Sequence, residues 1–238
     1  MTVHRGGPST RTQARLIGRL KQTGRATWLL VALLLLLLLY PLADDSLVWK
    51  AILGLLNSAI LITGVAAASG SRATLGVAVA FALPALGLQW AIVVRHDPIF
   101  TILECATMIL FYAFAIAHIL AYVLRPGPVT GNKLHGAIAA YIMIGLLWAF
   151  LYTFVDFLIP GSFDYMGHSD LPLRAHGINF VFFSFVTLTT TGYGDMVPTT
   201  PHAQSAAILE QLAGTFFVAV LVARLAGLYQ PGGQGREG

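Results

Sequence analysis

Charge is what this 238-residue sequence has least of: Asp, Glu, Lys and Arg make up 10% of it, while 57% is hydrophobic. A soluble domain carries roughly 25% charged residues, and a shortage on this scale, concentrated in long apolar runs, belongs to an integral membrane protein. Cysteine is almost missing too. Cys105 stands alone inside an apolar run, so an internal disulfide is impossible and the redox compartment cannot be read from it. Acidic residues are absent before the first apolar run, where Arg5, Arg11, Arg15, Arg19, Lys21 and Arg25 gather. Such a stretch suits the anionic face of a membrane rather than nucleic acid, because the chain enters the bilayer next. No His or Cys spacing recurs in a way that would hold a metal. No repeated halves with paired broken helices occur, which argues against a secondary transporter.

Apolar runs are what the sequence does have. A spanning helix needs about 20 mostly apolar residues, and six stretches qualify: 26 to 43, 47 to 69, 72 to 94, 98 to 124, 134 to 159 and 202 to 228. A seventh, Ile178 to Leu188, is too short to span and runs at once into polar, glycine-bearing sequence, the mark of a re-entrant segment. The first run, with Leu33 to Leu39 and then Pro41-Leu42-Ala43, competes with a cleaved leader; its long basic flank and the lack of a small-x-small site favour a retained helix. With the N-terminus cytoplasmic, the six N-terminal cations, Arg72, Arg125, Lys133, Arg224 and Arg236 fall on one side. Only Lys50, Arg95 and Arg174 fall on the other, together with Asp44, Asp45, Asp97, Asp164 and Asp170. The positive-inside bias thus expects both termini in the cytoplasm of a plasma (inner) membrane and the fifth-to-sixth connection outside.

That connection contains Phe183-Ser184-Phe185-Val186-Thr187-Leu188-Thr189-Thr190-Thr191-Gly192-Tyr193-Gly194-Asp195. A dehydrated monovalent cation needs oxygens that replace its hydration shell without holding it too tightly, and stacked backbone carbonyls do this with neutral dipoles. Carbonyls line one axis only if the backbone alternates between right- and left-handed conformations. Glycine takes the left-handed ones at no steric cost, which gives Gly192 and Gly194 their reason. Thr190 adds a hydroxyl ligand, and Tyr193 is expected to point away from the axis and wedge against neighbouring side chains. Ile178 to Thr189 would be a half-crossing helix whose negative end faces the cation. One chain gives one strand of oxygens, so a closed ring needs a cyclic oligomer.

Thr190-Thr191-Gly192-Tyr193-Gly194-Asp195 resembles the T-V-G-Y-G-D signature of the potassium-channel pore family, four copies of which form a filter. Residues 183 to 189 resemble that family's pore helix, and Pro198 with Gly214 sits where the family has its inner helix and a frequent glycine hinge. The resemblance spans about 134 to 228. It implies an all-α, homotetrameric, bacterial-type six-helix channel conducting K⁺ as permeant ion, with no cofactor and no enzymatic activity. Its K⁺ ligands would be Thr190, Thr191, Gly192, Tyr193 and Gly194, supported by Thr189, Asp195 and Glu210. The organisation expected is a basic cytoplasmic N-terminus (1–25), a four-helix membrane domain (26–124), a pore domain (134–229) and a short cytoplasmic tail (230–238). A weakly selective cation channel and a regulatory subunit of a hetero-oligomer are the alternatives.

Two departures stand out. Thr191 replaces the usual Val or Ile and puts a hydroxyl behind the filter. Phe182, Phe183 and Val186 occupy positions where relatives often carry a Trp or Glu that bonds the aspartate, so Asp195 must turn to a backbone amide or water. Gating also departs from the voltage-gated pattern. The stretch from Pro98 to Leu124 has no Lys or Arg, whereas sensing needs 3–4 Arg per subunit, and Arg125-Pro126-Gly127-Pro128 disfavours a continuous linker helix. Nine residues follow Tyr229, too few for a cytosolic ligand domain, and Gly232-Gly233-Gln234-Gly235 lacks the strand and helix of a nucleotide motif.

The remaining polar residues divide between sensing and packing. Glu104 and His118 lie fourteen positions apart on nearly one helical face, as a proton or ion sensor or as helix-to-helix contacts. Asn57 reads as such a contact. Glu210, four residues before Gly214, either bonds the pore helix from behind, at Thr187 or Thr189, or faces a cavity and attracts cations. Gly214 is a hinge or a close-packing position. His168, His176 and His202 fall on the outer side as proton-sensitive groups or ordinary surface residues. Arg11, Arg15 and Arg19, at i, i+4 and i+8, suit a basic helix on anionic lipid of the cytoplasmic leaflet, or disorder.

Overall fold

The computed structural model describes residues 24–42, 47–68, 71–94, 98–127, 130–165 and 173–228. The basic segment 1–23, His168, Asp170 and the tail after 228 lie outside them, as does the side chain of His176. The apolar runs become helices α1 (Arg25–Leu39), α2 (Leu47–Ala68), α3 (Arg72–Val94), α4 (Pro98–Val123), α5 (Gly131–Leu158), α6 (Leu173–Leu188) and α7 (Pro201–Leu228), with a 3-10 turn at Tyr40–Leu42. Four are long and apolar enough to cross a membrane, over Arg72–Ile92, Ile99–Val123, Gly131–Leu158 and Pro201–Arg224; Arg25–Leu39 and Ala51–Ala67 are shorter apolar helices. The chain is a membrane protein built of helices.

Two differences from the expected elements have local causes. The short helix begins at Leu173, five residues before the apolar run, because Leu, Arg and Ala all favour helix whatever their polarity. Two strands, β1 (Phe163–Tyr165) and β2 (Met196–Pro198), pair antiparallel with Asp164 opposite Val197. Three residues each are too few for a period-2 pattern to announce them.

Helices α1 to α5 share one core, in which Leu29, Leu33, Ile60, Met108, Phe111, Tyr112 and Met143 are buried. Polar ties set their register. Gln89 Nε2 and the Ser58 hydroxyl both donate to the Gly54 carbonyl, at 2.6 and 2.7 Å. Thr27 Oγ1 lies 2.8 Å from His135 Nδ1, joining α1 to α5, and Asn132 Nδ2 donates to the Tyr122 hydroxyl at 3.1 Å. Helix α4 ends in a turn at Leu124 and bends through Arg125–Gly127, and α5 starts after Thr130, whose hydroxyl accepts from Lys133 N as its N-cap. Of the four preceding helices, α1 and α4 pack directly against α5 of their own chain while α2 and α3 pack on α1, α4 and each other, with no linker helix at the described part of the corner.

A second core lies at the other end of α5. Tyr152, Phe163, Phe180 and Phe183 meet mainly edge-to-face, with centroids 4.8 to 5.6 Å apart in the pairs Phe163–Phe180, Tyr152–Phe183, Tyr152–Phe163 and Phe163–Phe183. Met196, Ala206 and Ala207 close it. This aromatic cluster fixes α6 between α5 and α7.

Candidate functional site

Helix α6 carries Phe180, Phe183, Ser184, Val186, Thr187 and Leu188 on buried positions, so its side facing α5 and α7 is fixed before its end is reached. Two small residues let it come close. A Cβ on Gly145 of α5 would lie 2.8 Å from the Phe185 ring, and one on Gly214 of α7 would lie 2.1 Å from the Leu188 carbonyl oxygen. Neither position accommodates a side chain without displacement. Gly214 thus makes the close-packing contact open to it, against the last residue of α6.

The last turn of a helix leaves carbonyls without partners, and the following residues fold back onto them. Thr190 N donates to Thr187 O at 2.9 Å; Thr191 N and Gly192 N both donate to Val186 O, at 2.8 and 3.4 Å. With these amides turned toward the helix, the strand is held by its donors. Its dihedrals alternate: φ is +57° at Thr190, +58° at Gly192 and +79° at Gly194, and left-handed φ is confined to these three between α6 and β2. The two glycines meet the need named from the sequence. Thr190 does not, and a β-branched residue in the left-handed region is strained by of order 1–3 kcal/mol. Sequence reading missed it, because nothing in a run of three threonines singles out the first.

The hydroxyls of two exposed threonines form a chain along this strand. Thr189 Oγ1 donates to Phe185 O at 2.7 Å and lies 2.9 Å from Thr191 Oγ1. Since the Thr189 proton is committed to the carbonyl, Thr191 is the donor in the second bond. Tyr193 is 70% exposed and its ring stacks on Phe182, with centroids 6.0 Å apart and planes at 6°. Asp195 makes no hydrogen bond or ion pair among the described residues.

Glu210 is fully buried and bonds α6 from behind. The partner is Ser184, whose hydroxyl lies 2.5 Å from Glu210 Oε1, rather than Thr187 or Thr189; Tyr152 of α5 donates to Oε2. The same Ser184 hydroxyl lies 2.6 Å from the Gly145 carbonyl, so its single proton is shared between the two acceptors. One carboxyl group therefore links α5, α6 and α7. Ser184 was legible as the single hydroxyl in a Phe and Val run, whereas Tyr152 had no signal apart from its place in α5. Beyond the alternating strand, Thr199 N donates to Ser162 O (2.9 Å) and Thr199 Oγ1 to Gly161 O (2.7 Å), extending the β1–β2 pairing.

Other flagged residues stand apart. His118 bonds the Phe114 carbonyl of its own helix at 3.0 Å and packs on the Phe114 ring, away from any partnership with Glu104. His202 is exposed at the start of α7. Among the described residues no group of three His, Cys, Asp or Glu side chains could hold a metal ion.

Residues 142–230, from within α5 through α6, the alternating strand and α7, match a family model described as an ion channel. No curated protein and no solved structure matches the chain. The match supports an ion channel, with its family segment coinciding with the site built above.

Proposed function

We propose that the chain is one subunit of a potassium-selective channel, whose filter is the carbonyl strand of Thr190, Thr191, Gly192, Tyr193 and Gly194 from four copies about an axis. The observation that carries this reading is the alternation of left-handed φ at 190, 192 and 194, with amides of 190 to 192 turned back onto α6. Such a backbone presents successive carbonyls on its other side, where they can replace the water around K⁺. Irregular backbone at membrane depth needs a watery path to line.

The surfaces left bare fit the assembly. Along α7, Ile208, Leu209, Leu212, Phe216, Val218 and Val222 are exposed, as are the stacked Phe182 and Tyr193. In a tetramer these face neighbouring subunits, lipid or the pore. In this reading the four long apolar helices cross together with the shorter α1 and α2, α6 dips halfway, and both termini lie on the cytoplasmic face of the plasma (inner) membrane. Helix α4 has no Lys or Arg, so opening does not follow an arginine sensor.

Purified protein in liposomes with a K⁺ gradient tests this. Barium-sensitive K⁺ flux that far exceeds Na⁺ flux is expected. Equal passage of the two ions rejects the selectivity, and no flux from an intact tetramer rejects the channel.

A further inference from the structure

Helices α1, α2, α4, α5 and α6 line a cavity of about 250 Å³ on the side of α5 away from α7. Its wall is largely apolar, with Leu36, Leu53, Leu146 and Phe150 among the lining residues. Besides the Tyr40 and Tyr112 phenols and the Cys105 thiol, three polar side chains line it: Asn57 from α2, and Thr101 and Glu104 from α4. None of the three side chains has a hydrogen bond or ion pair among the described residues. Thr153, also on the wall, is already satisfied by the Ala149 carbonyl at 2.9 Å.

A carboxyl group facing apolar walls without a partner is costly, and intramembrane ionisable groups of this kind mark functional sites. No Lys, Arg or His side chain among the described residues lines the cavity. A complement that brings positive charge together with N–H donors fits the carboxyl group and its neighbours. A primary ammonium has three N–H groups and no acceptor, and the cavity offers three uncommitted acceptors: the Glu104 carboxylate, the Asn57 carbonyl and the Thr101 hydroxyl. The apolar wall suits an alkyl chain, which the bilayer would deliver. The cavity is slightly below the usual range for small-molecule sites, so the chain it holds is short.

We propose that this cavity is a binding site for a primary alkylammonium amphiphile, with its head on Glu104, Asn57 and Thr101 and its chain among Leu53, Leu146 and Phe150. Because Leu146, Ala149 and Val181 share the wall, the occupant would touch both α5 and the back of α6. Lys50 lies one and two turns before Leu53 and Asn57 on α2, and its side chain is outside the described residues. Its own ammonium is the rival occupant, and the test separates the two.

Equilibrium dialysis of radiolabelled n-octylamine against the full chain in phosphatidylcholine nanodiscs at neutral pH reads binding without any need for conduction. Failure of the channel reading is therefore distinguishable from failure of this one. Saturable binding of one amine per chain is expected. Glu104→Gln should weaken it about tenfold or more, the scale of a lost charge-assisted hydrogen bond, and n-octanol should not distinguish the two proteins. Displacement of the amine by phosphatidylethanolamine added to the nanodiscs would support the ammonium chemistry and name a lipid headgroup as its source. Equal affinity of wild type and Glu104→Gln overturns the proposal, as does uptake no greater than in protein-free nanodiscs. Binding that emerges only in Lys50→Ala overturns it in favour of the chain's own lysine. Should Glu104→Gln fail to fold, Asn57→Leu and Thr101→Val carry the same test, each expected to weaken the amine and leave octanol unchanged.

Discussion

The Ser184 hydroxyl and the Glu210 carboxylate meet at 2.5 Å across the interface of α6 and α7. With Tyr152 on the other carboxylate oxygen, three helices converge on one buried group, and none of the three residues can be lost without stranding a partner. Glu210→Gln keeps the shape and one acceptor oxygen. Single-channel recordings should show open probability altered and unit conductance preserved, because the side chain is buried behind α6 and not in the ion's path. A fall in conductance alone would move Glu210 to the cavity side. Glu210→Ala strands the buried Tyr152 hydroxyl, Ser184 keeping the Gly145 carbonyl, and should cost about 1–3 kcal/mol in unfolding free energy.

Gly214→Ala puts a carbon 2.1 Å from the Leu188 carbonyl oxygen. The backbone atom it meets cannot rotate away, so α7 must separate from the end of α6. Overpacking of this kind costs typically 1–3 kcal/mol, and the midpoint of thermal unfolding should fall accordingly. An unchanged midpoint would show that the contact between the two helices is looser than the structure has it.

Thr191→Val removes the donor to Thr189 and leaves the backbone bond to Val186 in place. A loss of about 0.5–1.5 kcal/mol in stability is expected, the net worth of one ordinary hydrogen bond. The K⁺ to Na⁺ flux ratio should hold, since the carbonyls are untouched. A collapse of that ratio would make the hydroxyl chain part of the selectivity mechanism.

Asp195→Asn should change slow inactivation little, as the carboxylate has no partner among the described residues whose loss could matter. Patch recordings of current decay under sustained activation read this directly. A large acceleration would mean that Asp195 is paired in the assembled channel.

Much of this architecture was legible because apolar length is so strong a signal. The helices at 25–39, 47–68, 72–94, 98–123, 131–158 and 201–228 follow the apolar runs to within a few residues, since in a bilayer every backbone group must be bonded internally. Gly192 and Gly194 announced their left-handed conformations by lacking a Cβ. Thr190 did not, because its strained backbone is imposed by the turn onto Thr187 and not chosen by its side chain. The partner of Glu210 was misassigned to a threonine for a related reason. Thr187 and Thr189 lie nearer the filter in sequence, yet it is the rotation of α6, fixed by Gly145 and the aromatic cluster, that decides which hydroxyl faces α7. The β1–β2 pairing was invisible, being a product of proximity between the ends of α5 and α7.

That short pairing ties two parts of the mouth together. Asp164 and Val197 sit side by side, and Ser162 and Thr199 continue the ladder, so the chain leaving the filter is laced to the chain leaving α5. A tilt of α5 within the bilayer, driven by thickness or lateral pressure, would pull on the main chain only a few residues beyond Gly194. In the proposed channel, the outer vestibule would then answer to the tilt of a helix that contributes no residue to the filter strand.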